Sequence, residues 1–188
     1  MKSTSVGQLS PEFALLGLLA QGPAHGYELH QRLSHDLDQI WHLSQSQVYN
    51  ILNRLEGKGY ILGTVHEQQK LPAKRSFELT GRGREHFEQW LLEPSRTSVR
   101  AIRVEFSTRL YFALARSSQL AAQLITEQLA ATKRGLDQLI KMQATIPEDQ
   151  VFNRLGLDLR IRQLGSILEW LDSCLVLTSR NSQQVQQK

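Results

Sequence analysis

Cysteine is almost missing from this sequence: Cys174 is the one cysteine among 188 residues. A single cysteine excludes an intrachain disulfide and a metal site built from several thiolates. Long apolar runs are also missing, since the longest early one, residues 13–20, falls well short of the ~20 residues that cross a bilayer. Its flank holds Glu12 instead of the basic cluster that begins a signal peptide. We therefore expect a cytoplasmic protein with no membrane segment.

The residue patterns of catalysis and of metal binding are missing as well. No serine lies in the context of a nucleophile elbow, no paired carboxylates suggest acid–base chemistry, and the glycines form no phosphate-binding pattern. His25, His30 and His35 are five residues apart, so they do not share one helical face at the spacing of four that helix-borne metal ligands favour. The sequence predicts a protein that is not an enzyme and that carries no cofactor or metal.

The first half of the chain lacks a large excess of positive charge. Residues 1–95 contain nine Lys and Arg residues and ten Asp and Glu residues. The net charge of the whole chain is +4, and its basic excess lies in the second half. Local clustering is the better guide to nucleic-acid binding, because only the face that meets phosphate matters. Residues 70–84 hold five basic side chains and one acid, which makes this segment the strongest basic candidate.

A capping box begins the most informative helix of the chain. Ser44 is followed three residues later by Gln47, the pattern in which side chains and backbone at a helix start bond reciprocally. Four apolar residues then recur at the spacing of one buried helical face: Val48, Ile51, Leu52 and Leu55. Polar side chains occupy the opposite face. This pattern is typical of a recognition helix, which is held by one face while the other enters the major groove.

The predicted elements are three helices, a β-hairpin and a fourth helix, followed by helices only. Strand-forming runs at residues 60–62 and 76–79 flank a polar stretch, residues 67–75, which we predict as the tip of the hairpin. The predicted fold is therefore mostly α with a small β-hairpin. Its parts are a winged helix-turn-helix DNA-binding domain at residues 1–93, a helical dimerisation domain at 94–180 and a disordered, glutamine-rich tail at 181–188.

Candidate DNA-contacting side chains lie on the recognition helix and on the hairpin. Amide and guanidinium groups can bond to base edges, and hydroxyl groups to phosphate. The candidates on the helix are Gln45, Ser46, Gln47, Tyr49, Asn50, Asn53 and Arg54. Those on the hairpin, suited to backbone or minor-groove contact, are Lys70, Lys74 and Arg75. The plainer interpretation is that these side chains simply face solvent, but the capping box and the basic hairpin around them favour DNA binding.

Several segments of the first half resemble the PadR family of bacterial transcriptional regulators. The resemblance covers roughly residues 10–92, and its most specific part is GPAHGYEL at residues 22–29. The other matching segments are residues 15–19, 47–49 and 77–80. The resemblance implies a repressor that dimerises through its carboxy-terminal helices and releases its operator on a signal. It also implies that Gln47, Tyr49 and Asn50 lie on the recognition helix and Tyr27 near the phosphates, although Asn50 stands where the family often has proline.

Six apolar residues of the last helix recur at alternating spacings of four and three, as in a heptad seam: Leu157, Ile161, Leu164, Leu168, Leu171 and Leu175. Such a seam can pair with a second copy or pack on helices of its own chain. We favour a homodimer, because DNA-binding proteins of this type need two copies to contact two half-sites. Residues 104–112 also resemble the start of the longer type of PadR carboxy-terminal domain.

The sequence as a whole predicts a dimeric regulator, a repressor in function, that binds double-stranded DNA at an inverted repeat and is released by a signal. The alternative is a winged-helix adaptor that binds proteins, with weak or no sequence-specific DNA binding, and the near-neutral first half motivates it. Trp90 is most simply a core residue. The alternative for Trp90 is a place in a pocket for a small aromatic effector.

Overall fold

The computed structural model describes residues 10–68 and 71–185, and it describes side chains at 10–65 and 75–178. The chain divides into two compact units, Met1–Glu93 and Pro94–Lys188. In the described part, no helix has the combination of length and hydropathy that crossing a membrane requires.

The first unit is a winged helix-turn-helix, as the sequence predicts. In chain order its elements are α1 Glu12–Ala20, β1 Ala24–His25, α2 Gly26–Asp36, α3 Gln45–Gly57, β2 Ile61–Gln68, β3 Leu71–Leu79 and α4 Gly81–Leu92. The three strands form one antiparallel sheet in the order β1-β3-β2. Strand β1 was not predicted, because two residues are too few to show the alternation of a strand. It exists because Ala24 and His25 pair with Phe77 and Ser76 of β3.

The hairpin strands are longer than predicted. Strand β2 reaches Gln68 and β3 begins at Leu71, so residues 67–68 and 71–75 of the predicted tip lie in the strands. Pro72 lies near the start of β3. Only Ser76 and Phe77 of β3 pair with β1, so the stretch around Pro72 has β2 as its one neighbouring strand. Proline is tolerated at such a position because the missing N–H faces away from the ladder. Arg75 consequently lies in the body of the hairpin, opposite Val65.

Helix α1 forms the centre of the first unit. Residues 14–19 are buried on every side, and the helix contacts α2, α3, α4 and β3. Helix α3 presents its predicted stripe to this core, with Val48, Leu52 and Leu55 fully buried. The core therefore fixes one face of α3, and the other face remains exposed.

Over its described residues the second unit contains helices and no strand. Its elements are α5 Val99–Ala101, a π-helical turn Ile102–Phe106, α6 Ser107–Arg116, α7 Ser118–Gln143 and α8 Val151–Val185. The predicted disordered tail is wrong for residues 181–185, since the backbone of α8 continues through them. A polar, glutamine-rich segment forms no core of its own, but it can extend a long helix that packing has already nucleated. Residues 186–188 lie outside the described residues.

The leucine seam of α8 packs within its own chain. Leu157, Leu164 and Leu171 are buried, and the first two form a cluster with Leu139 of α7, against which Ile161 packs. The remaining two seam positions, Leu168 and Leu175, are half-buried. The assignment of this seam to the dimer interface is therefore corrected. A heptad pattern shows that a helix has an apolar face, but it does not show which helix covers that face.

Candidate nucleic-acid interface

Helix α3 presents a polar face to solvent. Ser46, Asn50 and Asn53 are exposed, while the residues on the other side of the helix pack in the core. Asparagine amides can bond bidentately to adenine, and a serine hydroxyl can bond to phosphate or to a base edge. A rigidly held helix with these groups outward has the chemistry needed to contact bases in a major groove.

The predicted capping box is present at the start of α3. The Ser44 hydroxyl oxygen accepts from the backbone N–H of Gln47 at 3.3 Å, and the Ser44 backbone N–H donates to Oε1 of Gln47 at 2.8 Å. The amide oxygen of Gln47 is therefore engaged in holding the helix start. Bidentate recognition of adenine needs both the oxygen and the nitrogen of an amide. In this arrangement Gln47 serves as a cap of α3.

Helices α2 and α3 approach closely at Gly26, where the ring of Tyr49 lies over the glycine. A Cβ atom at this position would meet Cε1 of Tyr49 at 2.6 Å, well inside van der Waals contact. Glycine is therefore required for the present position of the Tyr49 ring. The second glycine of the family-like motif thus has a structural reason, because it lets α3 pack closely on α2.

An open groove of about 720 Å³ lies along α2 and the start of α3. Gln45 and Tyr27, both predicted DNA contacts, line it, and Tyr27 accepts a hydrogen bond on its hydroxyl from Nε2 of Gln31 at 2.7 Å. The groove residues that the sequence analysis missed are His30, Gln31, Arg32, Ser34, His35 and Asp36. The sequence held a pattern that could have identified some of them. Tyr27, Gln31 and Ser34 recur at spacings of four and three, which places them on one exposed face of the helix.

Arg54 is exposed, and its guanidinium forms an ion pair with a carboxylate of α1. Its Nε donates to Oε1 of Glu12 at 2.6 Å, and Nζ of Lys58 bonds to both carboxylate oxygens of Glu12, at 3.1 and 3.0 Å. The ion pair engages Arg54 in this structure, and its base or phosphate contact remains a prediction. The carboxylate of Glu12 is only 12% exposed and ties α1 to the last turn of α3. Burial would raise the pKa of Glu12, but the hydrogen bonds and charges of Lys58 and Arg54 outweigh it and hold the pKa below its ordinary value.

We expect Glu12→Gln to destabilise the first unit by roughly 1–2 kcal/mol at neutral pH, because hydrogen bonds to a charged group are lost. A carboxyl group whose folded pKa is depressed stabilises the fold above its unfolded pKa and loses this contribution as the pH falls through the folded value. The deficit of the variant should therefore shrink below about pH 4.5, the ordinary value for this group. Urea unfolding at pH 7 and in acid measures the difference, with exposed Glu85→Gln as the control. A deficit that is unchanged in acid would contradict the ion-pair explanation.

Arg75 is held inside the wing. Its Nη2 donates to both carboxylate oxygens of Glu56 at 2.6 Å, and its guanidinium lies 5.2 Å from the ring centre of Phe77. The backbone N–H of Gly63 also donates to Oε1 of Glu56 at 3.0 Å. The side chain of Arg75 therefore joins the hairpin to the end of α3, and its phosphate contact remains a prediction. Lys74 lies in β3 opposite His66, but its side chain, like the whole of Lys70, is outside the described residues.

Trp90 is a core residue of the first unit. Its ring is stacked on Phe13 at 4.5 Å between ring centres, and its side chain is about nine-tenths buried. His86 continues this aromatic column, since it packs against Phe13 and stacks on Tyr60 at 4.4 Å. Burial lowers the pKa of His86. The interpretation of Trp90 as the wall of an effector pocket is corrected, because neighbouring rings occupy its surroundings.

The titratable side chains of the described residues do not form a group of three or more that could hold a metal ion. The charged groups near α3 form pairs that fix it to other elements, to α1 through Glu12 and to β3 through Glu56.

Comparisons with known proteins match both units. Residues 15–89 match the Transcriptional regulator PadR-like family, and residues 102–178 match the Virulence activator alpha C-term family. The Negative transcriptional regulator PadR of Bacillus subtilis (strain 168) is 29% identical over 128 residues, which is 68% of this chain and 70% of that protein.

Solved structures of the same B. subtilis protein are also similar. Its complex with operator DNA is 27% identical, with a TM-score of 0.43 over 89% of this chain and 98% of that one. Its complex with p-coumaric acid is 26% identical, with a TM-score of 0.40 over 92% of this chain and 99% of that one.

Proposed function

Because the chain belongs to the PadR-like family of transcriptional regulators, whose members are not enzymes, we propose that it is a dimeric repressor that binds an inverted-repeat operator and is released by a signal. The observation that carries this proposal is the exposed face of α3 with Asn50 and Asn53, on a helix whose opposite face is fixed in the winged-helix core. Such a helix can enter the major groove, about 12 Å wide, without losing its packing.

The groove along α2 is proposed to follow the DNA backbone. In helix-turn-helix proteins the first helix crosses the backbone while the second contacts bases. Tyr27 and Gln31 offer hydroxyl and amide groups at the rim of the groove, and the amino end of α3 adds backbone N–H groups that favour phosphate. Base recognition and backbone contact are thus assigned to neighbouring helices.

Repression, dimerisation and release are the finer parts of the proposal. The B. subtilis relative is named a negative regulator, which supports repression. An inverted repeat presents two half-sites related by a twofold axis, and two copies of one winged helix match that symmetry. A small aromatic effector is the proposed signal, and the family resemblance is its sole support. The proposed target is double-stranded DNA in the cytoplasm.

We expect Asn50→Ala to change specificity more than overall affinity. Loss of a bidentate contact should cost about 1–3 kcal/mol at one base pair and relax the preference there. Gln31→Ala, in the α2 groove, should instead weaken binding to all sequences alike. Selection of binding sites from random DNA, followed by footprinting of the promoter beside the gene, measures both effects.

Two results would overturn the proposal. Selection of no preferred sequence by the wild-type chain would favour the protein-binding adaptor. Equal weakening of every site by Asn50→Ala would remove α3 from base recognition.

A further inference from the structure

Two cations of α3 lie on the same ridge of the helix as Asn50. Arg54 and Lys58 follow Asn50 at spacings of four residues, and Lys58, the C-cap residue, keeps helical backbone angles. Side chains four residues apart are neighbours on a helix surface, about 6 Å apart along its axis. When Asn50 contacts a base edge, Arg54 and Lys58 therefore come toward the sugar-phosphate backbone that borders the same major groove.

Glu12 lies beneath these two cations. Its carboxylate bonds to both of them, yet its side chain is only 12% exposed, whereas Arg54 is 52% exposed and Lys58 45%. A phosphate that approaches from solvent would therefore meet the two positive groups before it met the carboxylate. The cluster also keeps a net positive charge, because one carboxylate stands against two cations.

Arg54 keeps hydrogen-bond donors for a phosphate. Glu12 engages its Nε, and neither terminal nitrogen, Nη1 or Nη2, forms a hydrogen bond with another described residue. A guanidinium binds phosphate through two N–H groups in a fixed fork. A long side chain that is already held in one orientation loses less conformational entropy when it binds. The bond to Glu12 thus orients Arg54 without using the nitrogens that a phosphate would need.

Arg82 of α4 completes this basic surface. The carboxyl end of α3 carries partial negative charge from its unpaired carbonyl groups, which would repel a phosphate. Nη1 of Arg82 donates to the carbonyl oxygen of Lys58 at 3.1 Å, and the guanidinium lies 5.2 Å from the ring centre of Tyr60. Among the described residues, Glu12 is the only acid bonded to these three cations. The end of α3 is therefore positive where its helix dipole alone would make it negative.

We propose that Arg54 and Lys58 bind a DNA phosphate beside the base that Asn50 contacts, and that Glu12 is the positioning residue that holds both cations for this contact. This inference rests on the proposed function and adds a backbone contact at the end of α3 to the one along α2. Glu12 itself touches no DNA, since it acts through the two side chains above it.

Glu12→Gln separates positioning from simple charge. The substitution removes a negative charge, so general electrostatics predict tighter DNA binding. Loss of positioning predicts the opposite, about tenfold weaker binding of the selected operator. Glu85 is an exposed acid of α4, and Glu85→Gln makes the same change of charge but leaves the bonds of Glu12 in place, so this control should bind at least as tightly as the parent. Fluorescence anisotropy with the full-length chain measures both affinities, and circular dichroism at the assay temperature shows whether each variant is folded.

The salt dependence of binding tests the phosphate contact itself. Each phosphate contact that is lost lowers the slope of log affinity against log salt by about 0.9. The double variant Arg54→Gln with Lys58→Gln should lose this amount for each bound copy. The matched control, Lys133→Gln with Arg134→Gln at exposed positions of α7, should keep the parent slope.

Arg54→Lys decides the point if Glu12→Gln does not fold. Lysine keeps the positive charge but lacks the fork of a guanidinium, so operator binding should weaken about fivefold.

The contrary outcomes separate this inference from the proposed function. Folded Glu12→Gln that binds as tightly as Glu85→Gln would show that the carboxylate positions nothing, and the inference would be overturned. A parent slope for the double variant, or parent affinity for Arg54→Lys, would overturn it as well. In each case a wild-type chain that selects an operator leaves the proposed function intact. A wild-type chain that selects no DNA sequence would overturn both.

Discussion

Gly83→Ala is expected to destabilise the first unit by about 3 kcal/mol or more, at or above the usual upper range for overpacking. A Cβ atom on Gly83 would lie 1.9 Å from the carbonyl oxygen of Tyr60 and 2.8 Å from its carbonyl carbon. That carbonyl cannot simply move away, because it accepts hydrogen bonds from the backbone N–H and the hydroxyl of Thr80, both at 3.0 Å. Thr80 in turn caps α4 by accepting from the N–H of Gly83 at 3.0 Å. The clash therefore loosens the cap and the junction of the wing with α4.

Gly81→Ala provides a control within the same helix turn. A Cβ atom there meets no atom within 4 Å, so the substitution should be neutral or slightly stabilising through reduced freedom of the unfolded chain. Thermal unfolding of the full chain should show the transition of the first unit lowered by roughly 15 °C for Gly83→Ala and hardly moved for Gly81→Ala. Similar melting of the two variants would contradict the close approach at Tyr60.

The second large effect is expected at Glu105→Gln, which should destabilise the second unit by roughly 2–4 kcal/mol. Arg109 is 2% exposed, and its Nη2 lies 2.6 Å from Oε1 of Glu105. The hydroxyl of Ser95 accepts a second bond from Arg109 at 3.0 Å. Glu105→Gln puts a neutral amide in place of the carboxylate beside a buried guanidinium, whose desolvation is costly. Glu105 is partly exposed, which keeps the estimate below the largest values for buried pairs.

Asp158→Asn is the matched control, because Asp158 and Arg162 form an ion pair with the same four-residue spacing on an exposed part of α8. Solvent screens that pair, so the control should unfold like the parent. A double variant, Glu105→Leu with Arg109→Met, should recover most of the loss by removing both charges. Chemical denaturation of the three variants checks the set. Equal losses at Glu105 and Asp158 would show that burial of Arg109 does not set the cost.

Features encoded in neighbouring residues were predictable from the sequence. The capping box of Ser44 and Gln47 joins residues three apart, and the buried stripe of α3 repeats within a single helix. The GPAHGYEL segment also identified the family before any coordinates, although not the reason for its second glycine. That reason is the ring of Tyr49, which is 23 positions further along the chain.

The sequence analysis did not show which partners the basic side chains of α3 and of the hairpin find. Arg54 was assigned to DNA because its local neighbours are polar, whereas its carboxylate partner, Glu12, is 42 residues away. Arg75 was assigned to the hairpin tip, and its partner Glu56 is 19 residues away. The residue type shows what a side chain can bind, but an arginine can bind a phosphate of DNA or a carboxylate of its own chain equally well.

The sequence by itself determined that this chain folds as a winged helix-turn-helix followed by long helices, and that α3 turns Asn50 and Asn53 outward. These properties follow from periodicity and capping, which act over three to seven residues. Only the tertiary structure decided which basic side chains are already paired and which apolar face of α8 is already covered. Burial and ion pairing depend on distances between segments far apart in the chain, so Arg54, Arg75 and the leucine seam found intrachain partners that no local pattern specifies.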